Sequence, residues 1–205
     1  MELNDVFFSL QGEGLNQGLP TIFIRNSQCN LACSWCDTQF KKVNFEFSPH
    51  ELLDYISKFK CNRICLTGGE PLLEEQLIFF LNLAKKYNYN VSIETNGSLD
   101  IADYLDYEIV MDIKCPSSGM SDKMFFRNLY LLKPTDQVRF VIGDYNDYDY
   151  AKNVLKNYYT KGQVLFSVCW DKLGALGQVL AEKILEDNLW NVRLQVQLHN
   201  ILKLK

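Results

Sequence analysis

The 205-residue chain is 47% apolar and 22% charged, a globular composition long enough for one domain with a substantial core. Lys and Arg number 21 against 25 Asp and Glu, a net charge of −4, which argues against a nucleic-acid or anionic-membrane partner because phosphate binding needs clustered positive charge. No apolar run reaches the ~18–20 residues of a membrane helix and the acidic start Met1-Glu2-Leu3-Asn4-Asp5 lacks a secretory pattern, so the expectation is a cytoplasmic protein with reduced cysteines.

Along the chain a strand-then-helix rhythm recurs. Residues 21–25 (TIFIR) read as a buried strand, and Ser48 as an N-cap before a helix over 49–59 with Pro49 at its first position. Residues 63–67 (RICLT) read as a strand ended by Gly68-Gly69, and 74–86 carry helical apolar spacing. Strands follow at 90–94, 108–113, 137–142 and 164–168, and residues 192–198 read as a possible last one. The Tyr-rich stretch 145–150 reads as half-exposed helix surface. Alternating strands and helices predict a mainly parallel α/β sheet, and about six strands fall short of a closed eight-stranded barrel. The expectation is one domain over 1–205, an open, partial (β/α) barrel, with a doubly wound sheet as the alternative. Either places chemistry at the C-terminal strand ends.

Unusual residues sit at those ends. Seven cysteines are present, and three of them form Cys29-x3-Cys33-x2-Cys36 after the first strand. Crowded thiols in a reducing compartment point to metal rather than disulfides. Three ligands suit a [4Fe–4S] cluster with one open iron. A zinc site needs a fourth ligand, for which Cys61, Cys65, His50 and His199 are available. Gly68-Gly69-Glu70-Pro71 ends the second strand, where glycines let backbone carbonyls approach an ammonium and Glu70 adds negative charge. Glu94-Thr95-Asn96-Gly97 ends the third and Asp112-Ile113-Lys114 the fourth.

Cys-x3-Cys-x2-Cys with Trp35 before the last cysteine, followed by GGEP and ETNG, resembles the radical S-adenosylmethionine (SAM) enzymes. The segments FSLQGEG (8–14), FIR (23–25), CNL (29–31) and WCDT (35–38), with DIKCPSSGM (112–120), resemble in particular the 7-carboxy-7-deazaguanine synthases. That resemblance implies a radical SAM fold, a [4Fe–4S] cluster on Cys29, Cys33 and Cys36, SAM and Mg²⁺. It implies conversion of 6-carboxy-5,6,7,8-tetrahydropterin to 7-carboxy-7-deazaguanine with loss of ammonia, on the route to queuosine. It further implies SAM contacts from Trp35, Gly69, Glu70, Gly97, Asp112 and Lys114, and Mg²⁺ at Thr38. The pterin would meet Gln11, Gly12, Glu13, Arg25, Thr95 and His199, with Arg25 holding its carboxylate bidentately. A flavodoxin- or ferredoxin-type electron donor and a homodimer are implied as partners. The chain departs from the family at Asp112-Ile113-Lys114, where Ser-Pro-Lys is common, and at Val196-Gln197-Leu198-His199, where Pro-Gln-x-His is common. Two other readings are a glycyl-radical activating enzyme acting on a protein partner, which Gln11–Gly14 and Cys36-Asp37-Thr38 disfavour, and a zinc-binding interaction module.

Overall fold

The computed structural model describes residues 1–36 and 42–205. Strands rich in Val, Ile and Phe, buried along almost their whole length, build a sheet covered on both faces, as parallel strands do. The strands are β1 (Glu2–Leu10), β2 (Pro20–Asn26), β3 (Phe45–Glu46), β4 (Arg63–Gly68), β5 (Asn90–Thr95), β6 (Glu108–Ile113), β7 (Gln137–Ile142), β8 (Gln163–Val168) and β9 (Val192–Gln195). They form one sheet in the order β3-β1-β2-β4-β5-β6-β7-β8-β9. From β2 through β9 every pairing is parallel, whereas β1 runs antiparallel to both its neighbours. The sheet has two edges and is not closed. A doubly wound sheet reverses its strand order at a switch point, and here the parallel strands follow one another without reversal, so the incomplete barrel is the architecture.

The helices are α1 (Pro49–Ser57), α2 (Leu77–Lys86), α3 (Asn128–Leu131), α4 (Tyr145–Asn157), α5 (Leu173–Glu186) and α6 (Leu198–Leu202). Ser48 caps α1 as expected: its hydroxyl accepts from Glu51 N while Glu51 accepts from Ser48 N, a capping box behind Pro49. The second helix begins three residues later than its apolar spacing suggested, because Pro71–Leu73 form a tight 3-10 turn and the Glu74 carboxylate accepts from Gln76 N. Tyr148, expected half-exposed, is buried on α4 with its hydroxyl donating to Lys183 O and Asp187.

Period-two alternation divides the sheet's chemistry. Ile22, Ile24, Ile64, Leu66, Ile93, Met111, Ile113, Val138, Phe140 and Ile142 point to one face and join the helices' Leu52, Ile56, Leu77 and Phe80 in the main core. Fully burying each such side chain contributes about 1.5–3 kcal/mol. The intervening positions carry Phe23, Arg25, Cys65, Thr67, Glu94, Asp112 and Arg139. The register aligns Phe23 with Cys65, Arg25 with Thr67 and Asp112 with Arg139, so these residues share the other face.

Candidate active site

That second face floors a cavity of about 580 Å³ walled by the loops at the strand ends. Phe7 and Phe23 stack at 5.0 Å to give it an apolar patch. The cysteine loop hangs over one side. Buried Leu31 anchors it in the core, and the loop is tied sideways to the segment after β6. Ser34 N donates to Ser118 O at 3.0 Å, Ser34 Oγ to Ser117 O at 2.6 Å, and Trp35 Nε1 to Ser117 Oγ at 3.0 Å. Glu70 N donates to Gln28 O at 2.6 Å, docking the loop on the end of β4.

Cys29, Cys33 and Cys36 all line the cavity, and none of them is in a disulfide. Burial raises the Cys29 and Cys33 thiols above their ordinary value. Asn96 Nδ2 reaches Cys29 Sγ at 3.7 Å and Leu31 N reaches it at 3.5 Å, donors that favour a thiolate there. Among the described residues no three His, Cys, Asp or Glu side chains converge as a single ion requires. Of the fourth ligands available to zinc, His50 packs on Phe79, Cys61 donates to Pro20 O and Cys65 donates to Glu94, while His199 lines the same cavity as the cysteines. Three soft thiol donors on one cavity wall fit a [4Fe–4S] cluster, three of whose irons would each take one cysteine and leave the fourth open.

A chain of charge crosses the floor. Asp112 Oδ2 pairs with Lys114 Nζ at 2.6 Å, and its Oδ1 pairs with Arg139 Nε at 2.5 Å. Arg139 also pairs with Glu13 and lies 3.7 Å from Glu94. Burial alone would raise the Asp112 carboxyl, but Arg139 and Lys114 overcome it and hold it well below the usual carboxylate range. Lys114, 5.6 Å from the Trp35 ring centroid, is held above its ordinary value because Asp112 outweighs its burial.

The residues singled out from the sequence divide by place. Gln11, Gly12, Glu13, Arg25, Trp35, Gly69, Thr95, Asp112, Lys114 and His199 line the cavity with the three cysteines. Glu70 and Gly97 do not. The Glu70 carboxylate is fully buried and accepts from Leu72 N at 3.1 Å and Asn96 N at 2.7 Å, so it ties two strand ends together rather than facing a ligand ammonium. Burial pushes it up to about 7. Gly97 has φ +76° and packs against the Asp112 carbonyl, a backbone approach with no room for a side chain. Thr38 lies outside the described residues. Glu13 and Gln11 reach the cavity already bonded within the chain: Glu13 to Arg139 and to Gln197 Nε2 at 2.6 Å, Gln11 Nε2 to Glu94 at 3.1 Å. Arg25 sits over the Phe7 ring, 5.3 Å from its centroid, and its buried Nε has no hydrogen-bond partner. Reasoning from sequence missed Arg139 and Gln197 and gave Glu94 no role of its own. The one available signal for Arg139 was a charge alternating with Val138 and Phe140 inside a buried strand.

Residues 24–163 match the family model of the radical SAM superfamily. The chain is 41% identical to a 7-carboxy-7-deazaguanine synthase of Methanospirillum hungatei, over all of this chain and 86% of that protein. It is 33% identical to one of Thermoplasma acidophilum, over 98% and 97% of the two chains. In fold it is similar to the crystal structure of QueE from Escherichia coli, with a TM-score of 0.78 at 21% identity over 97% and 94% of the two chains. Its strand ends bring a three-cysteine loop and Arg25 into one cavity, and its likeness to these synthases runs nearly end to end: the chain belongs to the 7-carboxy-7-deazaguanine synthase family of the radical SAM superfamily.

Proposed function

We infer that the protein is a radical SAM enzyme that converts 6-carboxy-5,6,7,8-tetrahydropterin to 7-carboxy-7-deazaguanine with loss of ammonia. The observation that carries the substrate is Arg25, a cavity guanidinium whose Nε is desolvated without an acceptor, opposite a loop of three thiols. A substrate carboxylate supplies that acceptor, and a planar fork matches it bidentately.

Cys29, Cys33 and Cys36 would hold the [4Fe–4S] cluster, and Trp35, Gly69, Asp112 and Lys114 would line the place of SAM. Held there, the two would supply radical chemistry for hydrogen abstraction. The chain's own residues bind, orient and exclude water. Arg25 fixes the carboxylate end of the pterin, so the carbon bearing that carboxylate lies at a set distance from the cysteine loop. Glu13, Gln11 and Thr95 meet the polar ring edge, His199 covers it, and the Phe7–Phe23 pair offers an apolar surface to the ring. Thr38, with substrate oxygens and water, is proposed as the Mg²⁺ ligand; a lone hydroxyl leaves most of an octahedral shell to those oxygens.

No helix among the described residues is long and apolar enough to cross a membrane. The proposed setting is the cytoplasm, with a flavodoxin or ferredoxin as electron donor. Exposed Leu194 and Val196 by the β9 edge, with Ile201 and Leu202 on α6, offer a homodimer an apolar surface. The activating-enzyme reading has no observation in its favour.

The test is one anaerobic assay of reconstituted protein with SAM, reductant, Mg²⁺ and the tetrahydropterin. The expected result is 7-carboxy-7-deazaguanine, with SAM not consumed in proportion. Accumulation of 5′-deoxyadenosine without that product would overturn the substrate and leave the radical SAM chemistry standing.

A further inference from the structure

Resting on that substrate reading, we propose that Arg139 is a positioning residue that sets pterin recognition by holding Glu13 ready to accept the amidine edge of the ring. Arg139 is 8% exposed and lies in mid-strand on β7, the cationic member of a cluster with Glu13, Glu94 and Asp112. Its fork is fixed from behind, since Nε is committed to Asp112, and Nη1 then faces Glu13.

Counting acceptor capacity identifies which carboxylate is left for a ligand. Two carboxylate oxygens offer about four lone-pair positions. On Glu94, Oε1 accepts from Gln11 and Cys65 while Oε2 accepts from Thr67 and faces Arg139, so that group is filled by the chain itself. On Glu13, Oε2 takes Arg139 and Oε1 takes Gln197, one partner each. One position per oxygen is left for a ligand, on a residue that lines the cavity. The 2-amino and N3 groups of a pterin present two parallel N–H donors, the same pattern an arginine offers a carboxylate. Without the Arg139 charge, a carboxylate beside Glu94 and Asp112 is repelled and loses both orientation and acceptor strength. Arg139 therefore acts through Glu13, without touching the reacting carbon.

The experiment is a double-mutant cycle on the cluster-loaded enzyme, reading the Kd and KM for 6-carboxy-5,6,7,8-tetrahydropterin beside kcat. Arg139→Met and Glu13→Gln are each expected to weaken Kd and KM by about 10- to 100-fold, the scale of one charge-assisted hydrogen bond, with a smaller change in kcat. The double variant is expected to bind no worse than Glu13→Gln alone, and Arg139→Lys to recover part of the loss. If removing the charge that Glu13, Glu94 and Asp112 share stops Arg139→Met from folding, the same cycle run with Arg139→Lys decides, with an expected loss of about 3- to 10-fold that vanishes in the Glu13→Gln background. Losses that multiply in the double variant, or wild-type binding by the Arg139 variants, overturn the inference and leave the substrate assignment intact. Wild-type enzyme that shows no affinity for the pterin removes the substrate reading itself, and this inference with it.

Discussion

Arg25 leaves β2 with its aliphatic stem beneath Gly68 and its guanidinium over Phe7, and among the described residues no carboxylate pairs with it. An unsatisfied buried donor costs about 1–3 kcal/mol, a cost that a bound carboxylate removes. Arg25→Met is therefore expected to lower kcat/KM for the pterin by roughly 100-fold while SAM cleavage continues uncoupled, since the cysteine loop keeps its own anchors. Quantifying 5′-deoxyadenosine and 7-carboxy-7-deazaguanine in the same sample checks this; wild-type coupling in the variant would remove Arg25 from the site. Glu70 makes a pH-dependent case. Burial raises it from 4.5 to about 7, so the folded state holds its proton more tightly than the unfolded chain does. The stability from this group is full below the unfolded value and is lost as pH rises through about 7. The melting temperature of the wild type relative to Glu70→Gln should thus rise between about pH 7.5 and about pH 5.5. A pH-independent difference would mean that its two backbone N–H donors keep the carboxylate ionised throughout. These two residues also mark how far the site could be read from sequence. A motif identifies the residue type and the strand end, which sufficed to place the cysteines and Arg25 on the cavity. It does not say which way a side chain turns, and Glu70 turns inward onto Asn96 N. Arg139 escaped because its partners Glu13, Glu94 and Asp112 lie 126, 45 and 27 positions away, brought together only by the sheet.

The end of β4 is the element on which the cysteine loop rests. A Cβ at Gly69 would run into the Gln28 carbonyl, and that carbonyl also accepts from Glu70 N, so a side chain there must push the loop off its seat. Overpacking of this kind costs about 1–3 kcal/mol. Gly69→Ala is expected to lower the melting temperature by several degrees, at about 2–4 °C per kcal/mol for a chain of this size, and to reduce iron bound per chain after reconstitution. Gly174, on α5, has nothing within 4 Å of an added Cβ, so Gly174→Ala should leave iron content unchanged and stabilise by about 0.5–1 kcal/mol through helix propensity. Equal iron content in both variants would show that the loop does not depend on β4. At this scale the parallel strands were legible because most are short, β-branched-rich stretches bounded by turn residues and followed by helical spacing. The antiparallel β1 was not: a register shift between Leu3 and Asp5 breaks its alternation, so its inward residues no longer fall at even spacing. The start of α2 was misplaced for a different reason, since Glu74, Glu75 and Gln76 precede the apolar stripe but lie in a turn in which Glu74 accepts from Gln76 N through its carboxylate and from Leu77 N through its carbonyl.

A sheet that stops short of closure leaves a gap between its edges, and in the whole molecule the segment between β1 and β2 spans it. Leu15 N donates to Gln137 at the start of β7 and Asn16 to Glu108 at the start of β6. Toward the C-terminal end, Gly14 N donates to Gln195, Gln17 to Val196 O, and Leu198 N to Gly12 O at 2.9 Å. Gly12 has no Cβ because the His199 ring occupies that place. The bridge therefore holds Gln11 and Glu13 against the cavity from one side while residues 196–205 brace it from the other. Removing residues 196–205 keeps β9 and the Gln195 contact but deletes the Gln197 donor to Glu13 and the His199 cover. Water then reaches the cavity beside the substrate, and the polar ring edge loses one of its two supports. The truncated enzyme is expected to raise KM for the pterin about tenfold or more and to increase 5′-deoxyadenosine formed per product, since a site that admits water no longer confines its radical chemistry to the substrate. Iron content should stay at the wild-type level, because among the described residues the hydrogen bonds that seat the cysteine loop run to Glu2, Glu70, Asn96, Ser98, Ser117 and Ser118, outside the deleted segment. A truncated protein with unchanged coupling and unchanged KM would show that the bridge is held by β6, β7 and Gln195 alone, and that the C-terminal segment is only a cover on its outer side.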